Sequence, residues 1–268
     1  MLVFWCLVFN LISFSHSSNK RFTIMENKKF NEWLAGLIDG DGYFHLSNKG
    51  YASLEIVMDI RDKHCLFEIK QKFGGFIKLK SGVNFVRYRL HNKKGLLDLI
   101  NSINALIRNQ IRLMQLKKIC DKYDINLIAS ESLSYNNGWL SGFIDSDGSI
   151  HLNLQSDQIL ISAGQKHRLL LDSLVVLYGG SIYAQKKPLA FKWVVFKKSE
   201  ILQLLDYFQN YPLRSAKKKR ISLISKYFLL KSLKAHLALP NSILGKQWKF
   251  FLQNWESYTD DLDNQVSE

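Results

Sequence analysis

One acidic motif occurs twice in this chain of 268 residues. Residues 33–44 read WLAGLIDGDGYF and residues 139–150 read WLSGFIDSDGSI, with the same Trp, Gly and Asp residues at matching places. Further similar segments recur at an offset of 105–106 residues, including KFGGFIKLK (72–80) and LYGGSIYAQK (177–186). A repeat at constant spacing indicates two copies of one unit of about a hundred residues, related by an approximate two-fold axis.

Each unit alternates between helical and strand periodicity. Apolar residues at 30, 33, 34, 37 and 38 predict a helix that ends near Gly40–Gly42, and the alternating stretch after it turns around Asn48-Lys49-Gly50. The same reading gives helices over 30–40, 62–73 and 93–104 with hairpins over 43–60 and 76–91, and in the second unit helices over 136–145, 167–177 and 198–209 with strands near 149–154, 158–164, 181–185 and 190–196. We predict an α+β fold of two tandem αββαββα units, each with a four-stranded antiparallel sheet covered by helices on one face.

The first 24 residues lie outside the repeat. Their apolar stretch of about 14 residues is too short for a clear membrane span. The first basic residue is Lys20, so the basic start of a secretory or mitochondrial signal is missing. We divide the chain into an extension (1–24), a first domain (25–128) and a second domain (129–260), and we predict that 239–255 forms a packing helix.

The chain is strongly basic, with 37 Lys and Arg residues against 23 Asp and Glu residues and a formal charge of +14. The excess occurs in both halves, which indicates a polyanionic partner, either nucleic acid or an anionic membrane surface. Cys6, Cys65 and Cys120 show no paired spacing. They suggest neither a disulfide framework nor a zinc site, and a reducing compartment fits.

The motif predicts a close contact between the two units. Gly36 and Gly142 would let the two motif helices approach closely at the domain interface. Asp41 and Asp147 would then meet at the C-terminal ends of those helices, where the helix dipoles and their mutual repulsion disfavour carboxylates. Cations between the two acids would offset this repulsion. Mg²⁺ suits such a site, because it binds carboxylates together with phosphate oxygens and water.

Two metals that bridge a scissile phosphate would activate the attacking water and stabilise the leaving oxygen. The remaining motif acids, Asp39 and Asp145, are interpreted as capping and turn residues.

Both motif copies resemble the signature of the LAGLIDADG homing endonucleases in their single-chain, two-motif form. The match is close in LAGLIDGDG and looser in LSGFIDSDG, and it covers about residues 28–258. The resemblance implies a pseudo-dimer whose sheets form a saddle on DNA. It also implies that divalent ions, two or three Mg²⁺, cut both strands across the minor groove of a long site. The implied metal set is Asp41 and Asp147, with Gly40 and Ser146 beside them.

Members of this family tend to place a lysine near the active site in a P-[LS]-R-S-x-K pattern. The segment YPLRSAK of this chain ends in Lys217, which would polarise the nucleophilic water or neutralise transition-state charge. The equivalent first-unit stretch, 106–116, has no lysine at the matching place. The offset points to Arg112, with Gln110 and Arg108 as alternatives.

The outer sheet faces are expected to supply the DNA contacts, because a two-stranded ribbon fits the major groove. Gln165, at the end of a second-unit strand, is expected to support the metal site through water and to face DNA. Alternation selects the remaining DNA-binding candidates: His45, Ser47, Lys78, Lys80, Arg87, Arg89, His151, Asn153, Lys186 and Lys192.

The resulting hypothesis is a monomeric, Mg²⁺-dependent, site-specific DNA endonuclease encoded in an intron or similar mobile element, with no membrane partner. One alternative is a maturase that binds intron RNA and assists splicing, with or without residual cleavage. Another is a non-catalytic DNA-binding regulator. Retention of both Asp41 and Asp147 favours cleavage. The resemblance also implies an organelle, mitochondrion or chloroplast, because single-chain members are common in organelle genomes.

Overall fold

The computed structural model describes residues 24–79, 82–186 and 189–257. Residues 1–23 of the predicted extension and the DNA-binding candidate Lys80 lie outside this part. The first half contains α1 (24–41), β1 (Gly42–Leu46), β2 (Ala52–Asp59), a 3-10 turn (Ile60–Asp62), α2 (Lys63–Phe73), β3 (Phe76–Leu79), β4 (Phe85–Leu90), α3 (Lys93–Ile103) and α4 (Gln110–Lys122). The second half contains α5 (Trp139–Asp147), β5 (Gly148–Asn153), β6 (Gln158–Gln165), α6 (Leu169–Tyr178), β7 (Ser181–Gln185), β8 (Ala190–Val195), α7 (Lys198–Asn210), α8 (Lys217–Ser232), a 3-10 turn (Ala235–Leu237) and α9 (Ile243–Glu256).

The predicted αββαββα order is present in both halves, which confirms the α+β fold. Each half then continues into a further helix, α4 or α8, that the sequence reading did not predict. Helix α8 opens with three lysines and an arginine, so the buried residues of its later turns, Ile224, Tyr227 and Leu230, carry a weak apolar signal. Helix α9 packs Phe251 and Trp255 into the core, as expected for the C-terminal segment. Within the described ranges, no helix is both long and apolar enough to cross a bilayer.

Both sheets are antiparallel, with the strand orders β1-β2-β4-β3 and β5-β6-β8-β7. Strand β4 shows how each sheet is sided: Val86, Tyr88 and Leu90 are buried under the helices, while Arg87 and Arg89 point to the opposite face. One face of each sheet is therefore covered and the other is available to a partner, as the alternation predicted.

Helices α1 and α5 cross at the centre of the molecule, and two glycines set how close they come. A Cβ atom added to Gly36 would lie 2.0 Å from the carbonyl oxygen of Trp139, and one added to Gly142 would lie 1.8 Å from that of Trp33. Real Cβ atoms do not approach backbone atoms so closely. The structure therefore places both glycines at the domain interface, where the helix backbones touch.

We predict that Gly36→Ala or Gly142→Ala forces the two helices apart. Overpacking of this kind costs about 1–3 kcal/mol or more of unfolding free energy, which chemical denaturation would measure. Gly164→Ala is the matched control, because a Cβ there has no neighbour nearer than 4.0 Å. A Gly36→Ala protein as stable as the Gly164→Ala protein would contradict the proposed contact.

Candidate active site between the motif helices

Asp41 and Asp147 end the two motif helices and lie beside each other. A Cβ atom added to Gly40 would be 3.1 Å from Asp147 Oδ2 and 2.0 Å from Ser146 Oγ, so the end of α5 closes over the end of α1. Burial, together with the negative charge of Asp147, raises the pKa of Asp41 to about 7. Burial likewise raises the pKa of Asp147 to about 6. The site thus holds two carboxylates whose ionisation is disfavoured.

The other two motif acids bind across the domain interface. Trp33 Nε1 donates to Asp145 Oδ2 at 2.8 Å, and Trp139 Nε1 donates to Asp39 Oδ2 at 2.7 Å. Each half therefore supplies the indole donor for the buried carboxylate of the other half. Sequence reasoning did not assign these tryptophans a role, although their recurrence at the repeat offset was a usable signal.

The same two acids also hold the loops that lead into α4 and α8. Asp39 accepts the backbone N–H groups of Arg108 and Asn109 at 2.8 and 3.0 Å. Asp145 accepts those of Arg214 and Ser215 at 2.8 and 3.2 Å. These bonds to N–H groups ahead of a helix agree with a capping and turn role. Burial still raises the pKa of Asp39 to about 7, against the opposing effect of its donors.

Lys217, the first side chain of α8, reaches the end of α5. Its Nζ donates to the carbonyl oxygens of Ile144, Asp145 and Ser146 at 2.9, 2.8 and 3.1 Å. Burial lowers the pKa of Lys217, while the surrounding aspartates act in the opposite direction. The ammonium group thus satisfies the last carbonyls of the helix that carries Asp147.

Arg112 occupies the equivalent place on α4. Its Nε donates to the carbonyl of Ile38 at 3.2 Å and its Nη2 donates to that of Gly40 at 2.8 Å. The two alternatives lie elsewhere: Arg108 packs its guanidinium 5.7 Å from the ring centre of Trp139, and Gln110 only begins the helix. In position, Arg112 is therefore the first-half counterpart of Lys217.

The two halves carry different residues at equivalent positions of β6 and β2, close to the two acids. Gln165 Nε2 donates directly to Asp147 Oδ2, and Asn109 Nδ2 donates to Gln165 Oε1 at 3.4 Å. The sheet register places Met58, which is 4% exposed, at the corresponding position of the first half. Gln165 was expected to act through water, so its direct contact with Asp147 corrects that expectation.

An acid that the sequence reading overlooked lies on the first-half side. Asp62 is 6% exposed, accepts the Ala216 N–H at 2.7 Å and lies near Lys217. It helps to line a cavity of about 400 Å³ together with Asp41, Asp59 and Lys217. The repeat gave no signal for Asp62, because the second unit has no acid in its place.

The oxygen ligands that the two acids offer suit a cation that takes its remaining ligands from other groups. Among residues 24–79, 82–186 and 189–257, no three His, Cys, Asp or Glu side chains are grouped closely enough to hold a metal ion. An ion between Asp41 and Asp147 would need further oxygens from backbone, water or phosphate. The Gly40 and Ser146 carbonyls already accept hydrogen bonds, yet each keeps a second lone pair.

The candidate DNA-binding residues fall into three groups. His45, Lys78, His151 and Lys186 are exposed. Lys192 and the two arginines of β4 are half-buried on the outer sheet faces. Ser47 and Asn153 accept backbone N–H groups within the hairpin turns, and this use of their side chains was not foreseen.

Glu55 is the residue that the alternation argument missed on this face. Its carboxylate accepts Arg89 Nε at 2.7 Å and lies 3.6 Å from Arg87 Nε. Both arginines of β4 are therefore paired within the sheet, whereas Ser162 faces β8 at the corresponding place in the second half.

We predict that Asp41→Asn stabilises the protein in metal-free buffer. The folded-state pKa of about 7 lies above the usual 3.8, so ionised Asp41 destabilises the folded state increasingly between about pH 4 and pH 7 and to a constant extent above that. The melting temperature of Asp41→Asn should therefore exceed that of the parent protein most at pH 8, and the difference should vanish near pH 4. A difference that grew on acidification would contradict this assignment.

A family model described as "LAGLIDADG endonuclease" matches residues 34–131 and again 140–228. The chain is 38% identical over 93% of its length to the intron-encoded RNA maturase bI4 of Saccharomyces cerevisiae. It is 35% identical over 86% of its length to a probable intron-encoded endonuclease aI2 of Debaryomyces hansenii. It spans only 41% and 38% of these two relatives. It is also 36% identical to the intron-encoded DNA endonuclease ai2a of Dictyostelium discoideum, over 89% of this chain and 78% of that protein.

Solved structures show the same fold. The homing endonuclease I-LtrWI bound to target DNA superposes with a TM-score of 0.62 at 19% identity, over 86% of this chain and 98% of that one. I-SmaMI bound to uncleaved DNA in the presence of calcium ions superposes with a TM-score of 0.60 at 19% identity, over 85% and 98%. The chain therefore belongs to the LAGLIDADG endonuclease family and carries two motifs in one polypeptide.

Proposed function

We propose that this protein is an intron-encoded, site-specific DNA endonuclease that hydrolyses both strands of a long duplex site with Mg²⁺. The observation that carries the proposal is the pair Asp41 and Asp147, held together at two helix ends with raised pKa values. Carboxylates kept together against their own repulsion suit a bound cation. Relatives named as intron-encoded DNA endonucleases support the reaction. We further propose a monomer that acts in a mitochondrion or chloroplast.

Asp41 and Asp147 would hold two or three divalent ions, with Gly40 and Ser146 beside them. Bound Mg²⁺ would supply a Lewis acid for the scissile phosphate and lower the pKa of a bound water. Gln165 fixes the orientation of the Asp147 carboxylate through its amide. The ends of the motif helices thereby hold both acids side by side, and Asp41 lines the adjoining cavity.

Lys217 and Arg112 would place one positive charge on each side of the acids. In the free protein both side chains bind carbonyls at the ends of the motif helices. When a phosphate approaches, each is positioned to neutralise charge that develops on its oxygens. Because lysine and arginine differ in shape and in hydrogen bonding, we expect the two strands to be cut at unequal rates.

DNA contacts are assigned to the outer sheet faces. The candidates His45, Lys78, His151 and Lys186 are exposed and therefore open to contact with DNA, and Lys192 of β8 would contact DNA from the outer face of the second sheet. Contacts by lysine and arginine with phosphate would dominate affinity and make it strongly dependent on salt.

An RNA maturase is the second candidate, because the bI4 relative matches nearly the whole chain and carries that name. The endonuclease would act on a DNA duplex and the maturase would act on intron RNA, although both would use the same fold. A cleavage assay on the duplex that spans the uninterrupted insertion site, with Mg²⁺, Ca²⁺ or EDTA, separates them. A double-strand cut in Mg²⁺ alone establishes the endonuclease. Tight DNA binding in Ca²⁺ without cleavage in Mg²⁺, together with accelerated splicing of the precursor RNA, would establish the maturase instead.

Asp41→Asn and Asp147→Asn should each abolish cleavage and leave DNA binding within a few-fold of the parent protein, because both acids would act on metal and not on DNA. Gel-shift binding and plasmid cleavage would be measured side by side. Full cleavage by both variants would rule out the metal assignment.

Lys217→Met should slow cleavage by about 100-fold or more while changing DNA affinity little. Lys217→Arg is the matched control, because arginine occupies the equivalent position in the first half. Supercoiled plasmid substrate should accumulate as nicked circles with Lys217→Met, which quench-flow and gel analysis would detect. If affinity alone fell, Lys217 would be a phosphate clamp and not a catalytic residue.

Glu55→Gln should release Arg87 and Arg89 for contact with phosphates. We expect tighter binding to non-target duplex and a slope of log K against log salt steeper by about 1–2. Fluorescence anisotropy at several salt concentrations would measure both. Asp121→Gln is the control, since Asp121 is an exposed residue that pairs with Lys117 one turn away on α4. Unchanged slopes would mean that the arginines do not contact DNA.

A further inference from the structure

Helix α8 takes part of its N-terminal cap from the first half of the chain. Its N-cap residue is Ala216, which has no hydrogen-bonding side chain, whereas α4 is capped by its own Asn109. The first N–H groups of a helix need acceptors from outside it. Asp62 supplies one of them, because its Oδ1 accepts the N–H of Ala216 at 2.7 Å. Ser215 Oγ accepts the N–H of Lys217 at 3.3 Å.

Two side chains of α2 hold Arg214, which lies two residues before this helix start. His64 Nε2 donates to the carbonyl oxygen of Arg214 at 2.6 Å, and the Glu68 carboxylate pairs with the Arg214 guanidinium. The guanidinium also lies 5.0 Å from the ring centre of Trp33 on α1. Together with Asp62, the first half therefore fixes the short segment 214–216 that leads directly into Lys217.

The equivalent crossing of α6 and the loop before α4 has no such acids. Helices α2 and α6 each end on an aromatic residue followed by Gly-Gly, which sets their register at an offset of 105 residues. In that register His167 stands in the place of Asp62, and Ser173 stands in the place of Glu68. Helix α6 and the residue before it thus offer no carboxylate to the loop at these two places.

We propose that Asp62 and Glu68 are positioning residues for Lys217, so that α2 and its N-cap set how fast the strand facing Lys217 is cut. This inference rests on the proposed endonuclease function. Lys217 is the first residue of α8, and its Nζ reaches the last carbonyls of α5. A shift of the segment before it therefore moves the ammonium group, and a displacement of about 1 Å near the chemistry can lower a rate by about 100-fold. Arg112 has no such support from α6, so the other strand should not depend on these two acids.

Cleavage of a duplex that carries a different fluorophore on each strand tests this positioning. Single-turnover rates at saturating protein exclude effects on binding, and Lys217→Met identifies the strand facing Lys217 as the one that it slows more. Asp62→Ala removes the acceptor of the Ala216 N–H and should slow that same strand by about tenfold or more relative to the other strand. Asp62→Asn keeps an acceptor oxygen and should slow it less. Equal slowing by both variants would mean that Asp62 acts through its charge and would overturn the positioning role.

Glu68→Ala provides a second test in a residue that tolerates change more easily. Its side chain is 40% exposed and lies outside the lining of the cavity beside Asp41. Glu68→Ala should slow the same strand as Asp62→Ala, because it frees the Arg214 guanidinium. Ser173→Ala is the matched control from the other half, and both of its strand rates should stay within about twofold of the parent. Equal slowing of both strands by Asp62→Ala and Glu68→Ala, or no slowing by either, would overturn the proposal.

Amide hydrogen exchange in EDTA, without DNA, examines the same contacts without metal or cleavage. Asp62→Ala should speed exchange in the peptide that covers 214–217, and Ser173→Ala should not. Unchanged exchange in Asp62→Ala would overturn the positioning role. If the parent protein cut neither strand, the proposed function would fail, whereas faster exchange in Asp62→Ala would still support the hold of Asp62 on the start of α8.

Discussion

The contact between the backbones of α1 and α5 at Gly36 and Gly142 is the constraint on which the rest of the site depends. Because the helices touch, the tryptophan that begins each motif reaches the first motif acid of the other half. Those acids hold the loops before α4 and α8, and the basic side chains of these helices return to the ends of α1 and α5. Each of these contacts positions the residues of the next one. Helix packing and hydrogen bonds therefore together set the positions of Asp41 and Asp147.

Electrostatics explain why the four motif aspartates are surrounded by hydrogen-bond donors and by cationic side chains. Four motif aspartates are wholly or largely buried, and burial raises the pKa of each. Two of them are compensated by N–H donors from loops and indoles, and they serve structure. The other two have Lys217 and Arg112 near them and keep oxygen lone pairs for an additional cation. Identical residue types in one motif thus differ in chemistry because their surroundings differ.

Much of the fold and of the candidate site could be predicted from the sequence, because these parts depend on local periodicity or on the repeat. The alternation in β4 placed Arg87 and Arg89 on the outer face, and the offset singled out Arg112. The pairing of both arginines with Glu55 depends on strand register across the sheet, which a single sequence does not specify. Asp62 was missed for another reason: it lies at a place where the two units differ, and the repeat signal exists only where they agree.

The reciprocal bonds between tryptophans and aspartates also bear on ancestry. A single unit lacks the indole donor for its own buried carboxylate, but two identical units would supply it to each other by symmetry, as subunits of a homodimer do. Fusion of two gene copies preserves those bonds on the axis and lets every residue away from the axis change in one half only. Met58 in the place of Gln165, and Ser162 in the place of Glu55, are differences that no homodimer could carry.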